Sequence, residues 1–292
     1  MKNIFRNIIR SKMKNYNKWA VLLISLSFIS MSFSITFAMP LTKFIGLDWW
    51  RHFHPAVLEA FSGGNPYEVS GFYSPPWLLL ILSPLAVLPM KVSTSIIFIL
   101  NTAGYTWVAY KLGVNKYLIL PLFFFSGALT NALKGNIDGI LLLGLLMPAW
   151  LGSLFLMTKP QIGVPILLCV VLTVLFSKTS KREKIQYLFV MLAPLLGLTL
   201  LSFALYGNWY THASEVIGRS WNAAILWPYG FPLGVLLIWQ SAARRDIRLA
   251  LVSIPFVFPY ISSSTWAVPM MGMVSLLFQR INLQTHPILK YR

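Results

Sequence analysis

Three of the seven acidic residues, Asp48, Glu59 and Glu68, fall in one loop between the first two hydrophobic spans of a chain otherwise built for lipid. Asp48 opens the run Asp48-Trp49-Trp50-Arg51-His52-Phe53-His54, where a first apolar helix ends. A carboxylate there could act as general base toward a hydroxyl whose co-substrate is anchored in a bilayer, a proton transfer that typically contributes ~10²–10⁴-fold. Arg51, His52 and His54 carry the charge to hold an anionic group. The competing reading is a solvated loop acid paired with Arg51, a surface ion pair worth roughly 0–1 kcal/mol. Scarcity of charge raises the value of each ionisable group without fixing its role.

The elements that must position these residues follow from composition. Of the residues, 57% are hydrophobic and 11% charged, and uninterrupted apolar runs recur from Trp19 to Phe278. A polytopic all-α transmembrane bundle is expected. A β-barrel would alternate polar and apolar positions, and runs such as Leu78 to Leu88 or Ile166 to Phe176 do not. The net charge of +17 falls in clusters between spans: Lys2 to Lys18, Lys178 to Lys184, Arg244 to Arg248, and Arg280 to Arg292. That is the positive-inside pattern with attraction to anionic lipid, and it argues against nucleic acid as a partner. Cys169, inside an apolar span, reads as a small core hydrophobe.

With the basic clusters as cytoplasmic markers, about ten spans are expected, several short or broken. They are Lys18–Met39, Pro76–Pro89, Ser93–Tyr110, Tyr117–Leu133, Ile137–Met157 with a break near Pro148, Gln161–Phe176, Ile185–Tyr206, Ala223–Gln240, Leu249–Tyr260 and Trp266–Phe278. The first resembles a signal peptide but has the length of a retained helix. Both termini come out cytoplasmic in a single integral domain over residues 1–292, localised in a membrane, most simply the plasma membrane. The loop 40–75 is then external, and a short helix from Pro55 to Phe61 within it, framed by proline and by Gly63-Gly64, would lie in the interface. Prolines and glycines inside spans suggest half-helices around an internal cavity.

At this point several segments together resemble a known family. Asp48, Gly64-Asn65-Pro66-Tyr67, Phe72-Tyr73-Ser74-Pro75-Pro76, Pro84-Leu85-Ala86-Val87-Leu88-Pro89, Gly135-Asn136 and Met157-Thr158-Lys159-Pro160 resemble, in order, glycosyltransferase family 87 of the GT-C superfamily. These are polyprenol-phosphate-mannose-dependent mannosyltransferases and their relatives. The segments cover Asp48 to Pro160, about two fifths of the chain, and Asn136 stands where the family usually has glutamine. The resemblance implies a GT-C-like helical bundle with its active site at the extracytoplasmic face and Asp48 as catalytic base. It further implies inverting transfer of a hexose, mannose in the family, from a polyprenyl-phosphate sugar to a glycolipid or glycan acceptor. The leaving phosphate needs fixed positive charge rather than a general acid. Lys159 is the first candidate for that charge, with Arg51, His54 and Arg219 behind it, and Tyr67 is counted with them as substrate-binding. The bland alternative for Lys159 is a snorkelling lysine that ends a helix.

A second external loop, 208–222, carries His212, Glu215, Arg219 and Trp221; if Ala213 to Ser220 is helical, Glu215 and Arg219 stand at pairing distance. Lys134 and Asp138 share that spacing and are expected to pair and order a turn on the cytoplasmic side. There is no nucleotide-binding glycine loop, HExxH or Cys/His cluster, and position 50, where a metal-holding Asp-x-Asp would need its second carboxylate, is Trp. No metal or cofactor is expected. A transporter or flippase would carry charge near the bilayer midplane in matched halves; a non-catalytic membrane subunit with a GT-C-like fold is the remaining alternative.

Overall fold

A computed structural model describes residues 44–214 and 226–285. The expected first span, Arg219 and Glu215 lie outside them. The described residues form an all-helical bundle with no β-strand. Among the described residues, two helices are long and apolar enough to cross a membrane, Met90–Lys111 and Lys181–Tyr206.

The loop that carries Asp48 is itself helical. A π-helical turn, Trp49–Phe53, runs directly into α1, His54–Phe61. Pro55 supplies the reason: it has no N–H to give to the carbonyl four residues back, and its ring crowds that carbonyl. The turn before it widens, and the His54 N–H reaches back five residues to Trp49 O. A 3₁₀ turn, Pro66–Glu68, is capped by the Asn65 side chain, which accepts from the Tyr67 N–H at 3.1 Å.

The next helix, α2 (Trp77–Ala86), is 10 residues long, which at 1.5 Å per residue is about 15 Å. It packs against α1, with the Ala86 carbonyl 3.2 Å from His54 Nε2. The helix α3 (Met90–Lys111) then starts at the Asp48 end, because Trp49 Nε1 donates to Ser93 Oγ at 2.9 Å. Pro76–Pro89, expected as a span, thus holds a short helix after which the chain lies at the Asp48 end, and Lys91 belongs to that same end. Two short helices, α4 (Lys116–Phe125) and α5 (Ala128–Leu133), return the chain to that end.

The second departure is the segment expected as one span, broken near Pro148, over Ile137–Met157. It is a hairpin. The helix α6 (Asp138–Leu142) continues as a 3₁₀ turn to Leu146, the chain reverses at Met147-Pro148, and α7 (Ala149–Leu156) comes back. The arms touch backbone to backbone, since a Cβ on Gly144 would sit 2.8 Å from Gly152 O. A proline that donates no hydrogen bond and two glycines that bring the arms together thus turn an apolar run around within the fold.

From Lys159 the helix α8 (Pro160–Leu175) leaves the Asp48 end, and α9 (Lys181–Tyr206) returns to it, started by a Ser180/Glu183 capping box. After the turn α10 (Tyr210–Ser214), the helices α11 (Phe231–Arg244), α12 (Ile247–Val257) and α13 (Ala267–Thr285) pack in succession, α12 between the other two. A 3₁₀ turn, Ser263–Trp266, precedes α13 and brings Thr265 to the Asp48 end. Buried apolar side chains, among them Trp49, Leu78, Ile97, Leu142, Ile166 and Leu251, form one continuous core.

Two loops meet almost without space between them. Gly46 N donates to Leu133 O and Asp48 N to Lys134 O, each at 2.7 Å. Gly135 has φ +73°, and a Cβ there would lie 2.9 Å from Trp49 Cβ and 3.3 Å from Gly46 Cα. Gly135→Ala is expected to lower stability by roughly 2–4 kcal/mol, from left-handed backbone strain and overpacking. Thermal unfolding of the purified chain checks this against Gly197→Ala, whose added Cβ meets no atom within 4 Å.

Candidate functional site

Asp48 stands at the head of the π-helical turn, partly buried, with its backbone tied to Lys134. Its Oδ2 accepts a 2.8 Å hydrogen bond from Asn136 Nδ2, across a sequence separation of 88. The Asn136 Oδ1 accepts from the Ile137 N–H at 2.7 Å and from Lys159 Nζ at 3.2 Å. Lys159 also donates to Asp138 Oδ1 in an ion pair, and to Thr265 Oγ1 at 3.4 Å. Thr265 in turn donates to Asp138 Oδ2 at 2.8 Å. One connected set, Asp48, Asn136, Lys159, Asp138 and Thr265, thus joins four parts of the chain.

Fold and site explain each other here. Because the hairpin α6–α7 begins at Asp138 and returns to Thr158, its two ends are neighbours, which is how Asp138 and Lys159 meet. Asn101, fully buried on α3, holds the near end: its Nδ2 donates to Asn136 O and its Oδ1 accepts from Gly139 N at 2.9 Å and Ile140 N at 3.3 Å. The first helical N–H groups of α6, which lack partners within the helix, are satisfied in this way.

The electrostatics divide between the two carboxylates. Burial pushes the Asp48 carboxyl above its ordinary value of 3.8, against the opposing pull of the Asn136 hydrogen bond and the charges of Lys159, His52 and Lys134. No hydrogen bond reaches Asp48 Oδ1 from the described residues, whereas Oδ2 is held by Asn136. Asp138 is fully buried, and the Lys159 side chain is 13% exposed.

The other sequence candidates fall into three groups. Arg51 is exposed and makes no ion pair among the described residues, so the Asp48–Arg51 surface pair does not form. His54 is half-buried, its Nε2 at Ala86 O and its ring edge-on to Trp49 at 5.5 Å, and it fastens α1 to the end of α2. Tyr67 is buried: its hydroxyl donates to Ser74 O at 2.9 Å, and its ring stacks on His212 at 5.1 Å and Trp209 at 6.3 Å. It ties the first loop to the segment after α9. Arg219 lies outside the described residues.

The expected Lys134–Asp138 pair does not form. Asp138 takes Lys159 instead, and Lys134 lies over the Phe44 ring at 5.8 Å, on the Asp48 side. Asp138, Asn101 and Thr265 are the residues that sequence reasoning left out of the site. An aspartate flanked by Ile137, Gly139 and Ile140 in a chain this poor in acids was the available signal; Thr265 offered none. No cluster of metal-ligating side chains occurs among the described residues.

No protein-family model, curated protein or solved structure matches the chain.

Removing one member of the buried pair leaves the other uncompensated, at about 3–5 kcal/mol. Lys159→Met is expected to cost more than Asp138→Asn, because the charge it strands has no access to solvent. Asp138→Asn combined with Lys159→Met should recover most of that loss, as measured by chemical unfolding of the three variants.

Proposed function

We propose that the chain is an integral-membrane glycosyltransferase that moves a hexose, most simply mannose, from a polyprenyl-phosphate sugar to a glycolipid or glycan hydroxyl. One observation carries this reading: Asp48, Asn136 and Lys159, drawn from three separated segments that resemble family 87, converge in one hydrogen-bonded set at one end of the bundle. The chain has the materials for that chemistry. Asp48 offers a carboxylate with one oxygen held and one open, beside an exposed Arg51 that makes no ion pair among the described residues.

In this mechanism Asp48 Oδ1 takes the proton of the acceptor hydroxyl as its oxygen bonds to the anomeric carbon. The bond from that carbon to the lipid-phosphate oxygen breaks on the opposite face, inverting the centre, and the phosphate carries away the electron pair. A phosphate needs a cation where charge accumulates. Arg51 and, in the second external loop, Arg219 are the groups proposed for it. Lys159, whose ammonium is shared among Asn136, Asp138 and Thr265, adds its field but not a free donor.

The membrane topology proposed with this function alternates between the two ends of the bundle. After a first crossing by Lys18–Met39, the crossings are α3, α4 with α5, α8, α9, α11, α12 and α13, about eight in all. The hairpin α6–α7 is re-entrant, which is allowed because its irregular backbone is covered by protein. Lys111, Lys116, Lys178–Lys184 and Arg244–Arg248 then share the cytoplasmic face, a better match to the positive-inside bias than ten spans. In a Cys169→Ala background, cysteines placed at Arg51 and at Lys91 should be labelled from the same side of the membrane and one at Lys111 from the other. Labelling of positions 91 and 111 from a common side would overturn this topology.

Asp48→Asn is expected to lower transfer from radiolabelled polyprenyl-phosphate mannose to membrane lipids by at least ~10²-fold, with the protein still folded. Equal transfer by both proteins would remove Asp48 from the mechanism. Asp48 must be ionised to act, and burial raises its midpoint, so activity should climb with pH along an acid limb lying above 3.8. The same shift bears on stability with opposite sign: a folded-state value above the unfolded one gives stability that is present at low pH and lost as pH rises through the folded value. Asp48→Asn should abolish that part of the pH dependence.

A further inference from the structure

We propose that Lys159 is a positioning residue: with Asp138 and Thr265 holding its ammonium, it fixes the Asn136 carboxamide so that Nδ2 faces Asp48 and only one carboxylate oxygen remains open. The functional meaning rests on Asp48 as the base, but the geometry does not. An asparagine amide can turn end for end at little cost unless its neighbours forbid it. Here they do. The Ile137 N–H, at 2.7 Å, and the Lys159 ammonium, at 3.2 Å, are donors without acceptor capacity, so the atom between them must be the oxygen. The amino group is thereby turned to Asp48 Oδ2, 2.8 Å away.

The chain of restraint continues outward. The Lys159 ammonium has three hydrogens and three acceptors: Asn136 Oδ1, Asp138 Oδ1 and Thr265 Oγ1. Asp138 is fully buried and is bonded on both oxygens, to Lys159 and to Thr265. The Asn136 backbone is fixed as well, by Asn101 at its carbonyl and by Asn131 O, which accepts from its N–H at 3.1 Å. A phosphate could recruit Lys159 only by breaking one of these bonds. The charged or titratable groups that act on Asp48 are Lys159, His52 and Lys134. Arg51 lies on the same helical turn.

The test reads Asp48 directly. Asp48, Asp138 and Asp246 are the chain's three aspartates, so ¹³C-carboxyl labelling of the purified full chain gives three signals, with Asp48 assigned by its loss in Asp48→Asn. Asn136→Ala, which alters no charge, should raise the Asp48 titration midpoint by about one unit, the value of a lost hydrogen bond to the charged form. Asp138→Asn with Lys159→Met removes one positive and one negative charge together and should also raise it. Adding that double change to Asn136→Ala should produce little further shift, because its effect passes through the missing amide.

An unchanged midpoint in Asn136→Ala or in the double variant overturns the proposal. So does full additivity in the triple variant, which would mean that the pair acts on Asp48 through its field alone. The acid limb of sugar transfer should move by the same amount in each variant. If the titration behaves as stated while Asp48→Asn retains transfer, the positioning stands and the assignment of Asp48 as base falls.

Discussion

A carboxylate with no access to solvent is the constraint on which the rest of this structure depends. Asp138 lies at the start of α6 among Ile137, Gly139 and Ile140. An ion in such a place is tolerated only with a counter-charge in good geometry and its remaining lone pairs hydrogen-bonded. Lys159 and Thr265 meet that requirement from two other elements. Their convergence dictates that α8 begins where α6 begins, that the turn before α13 closes over both, and that Asn136 is caught between Lys159 and Asp48. The geometry at Asp48 is thus set by a charge one residue beyond Ile137 that never touches it.

How much of this could be read in advance depended on whether the determining contacts were local. The long helices were legible: Ser93–Tyr110 and Ile185–Tyr206 correspond to Met90–Lys111 and Lys181–Tyr206, because apolar length and terminal signals such as the Ser180/Glu183 box are local properties. The expected helix Pro55–Phe61 also appears, one residue longer at its start. The segments Pro76–Pro89 and Ile137–Met157 were not legible as what they are. An apolar run reads the same whether it spans, lies against α1 or folds back at Pro148, and only packing distinguishes these outcomes.

The site shows the same division. Asp48 and Lys159 stood out as charges in a charge-poor chain, but the bonds that join them did not. Spacing across a turn suggested Lys134 for Asp138, and a tertiary partner 21 residues on prevailed because Asp138 is turned into the protein while Lys134 lies over Phe44. The surroundings of Tyr67 were hidden in the same way: its stacking on His212 and Trp209 joins residues far apart in the sequence.

The hairpin has a consequence for how such a chain can vary over evolution. Its two feet, Asp138 and Lys159, stand side by side, and its tip at Met147-Pro148 lies at the far end of both arms. Residues gained or lost in matched numbers on the two arms would change how deep the tip reaches without separating the feet. Depth and the pairing of Asp138 with Lys159 are therefore independent variables in this segment, free to be tuned by different selective pressures.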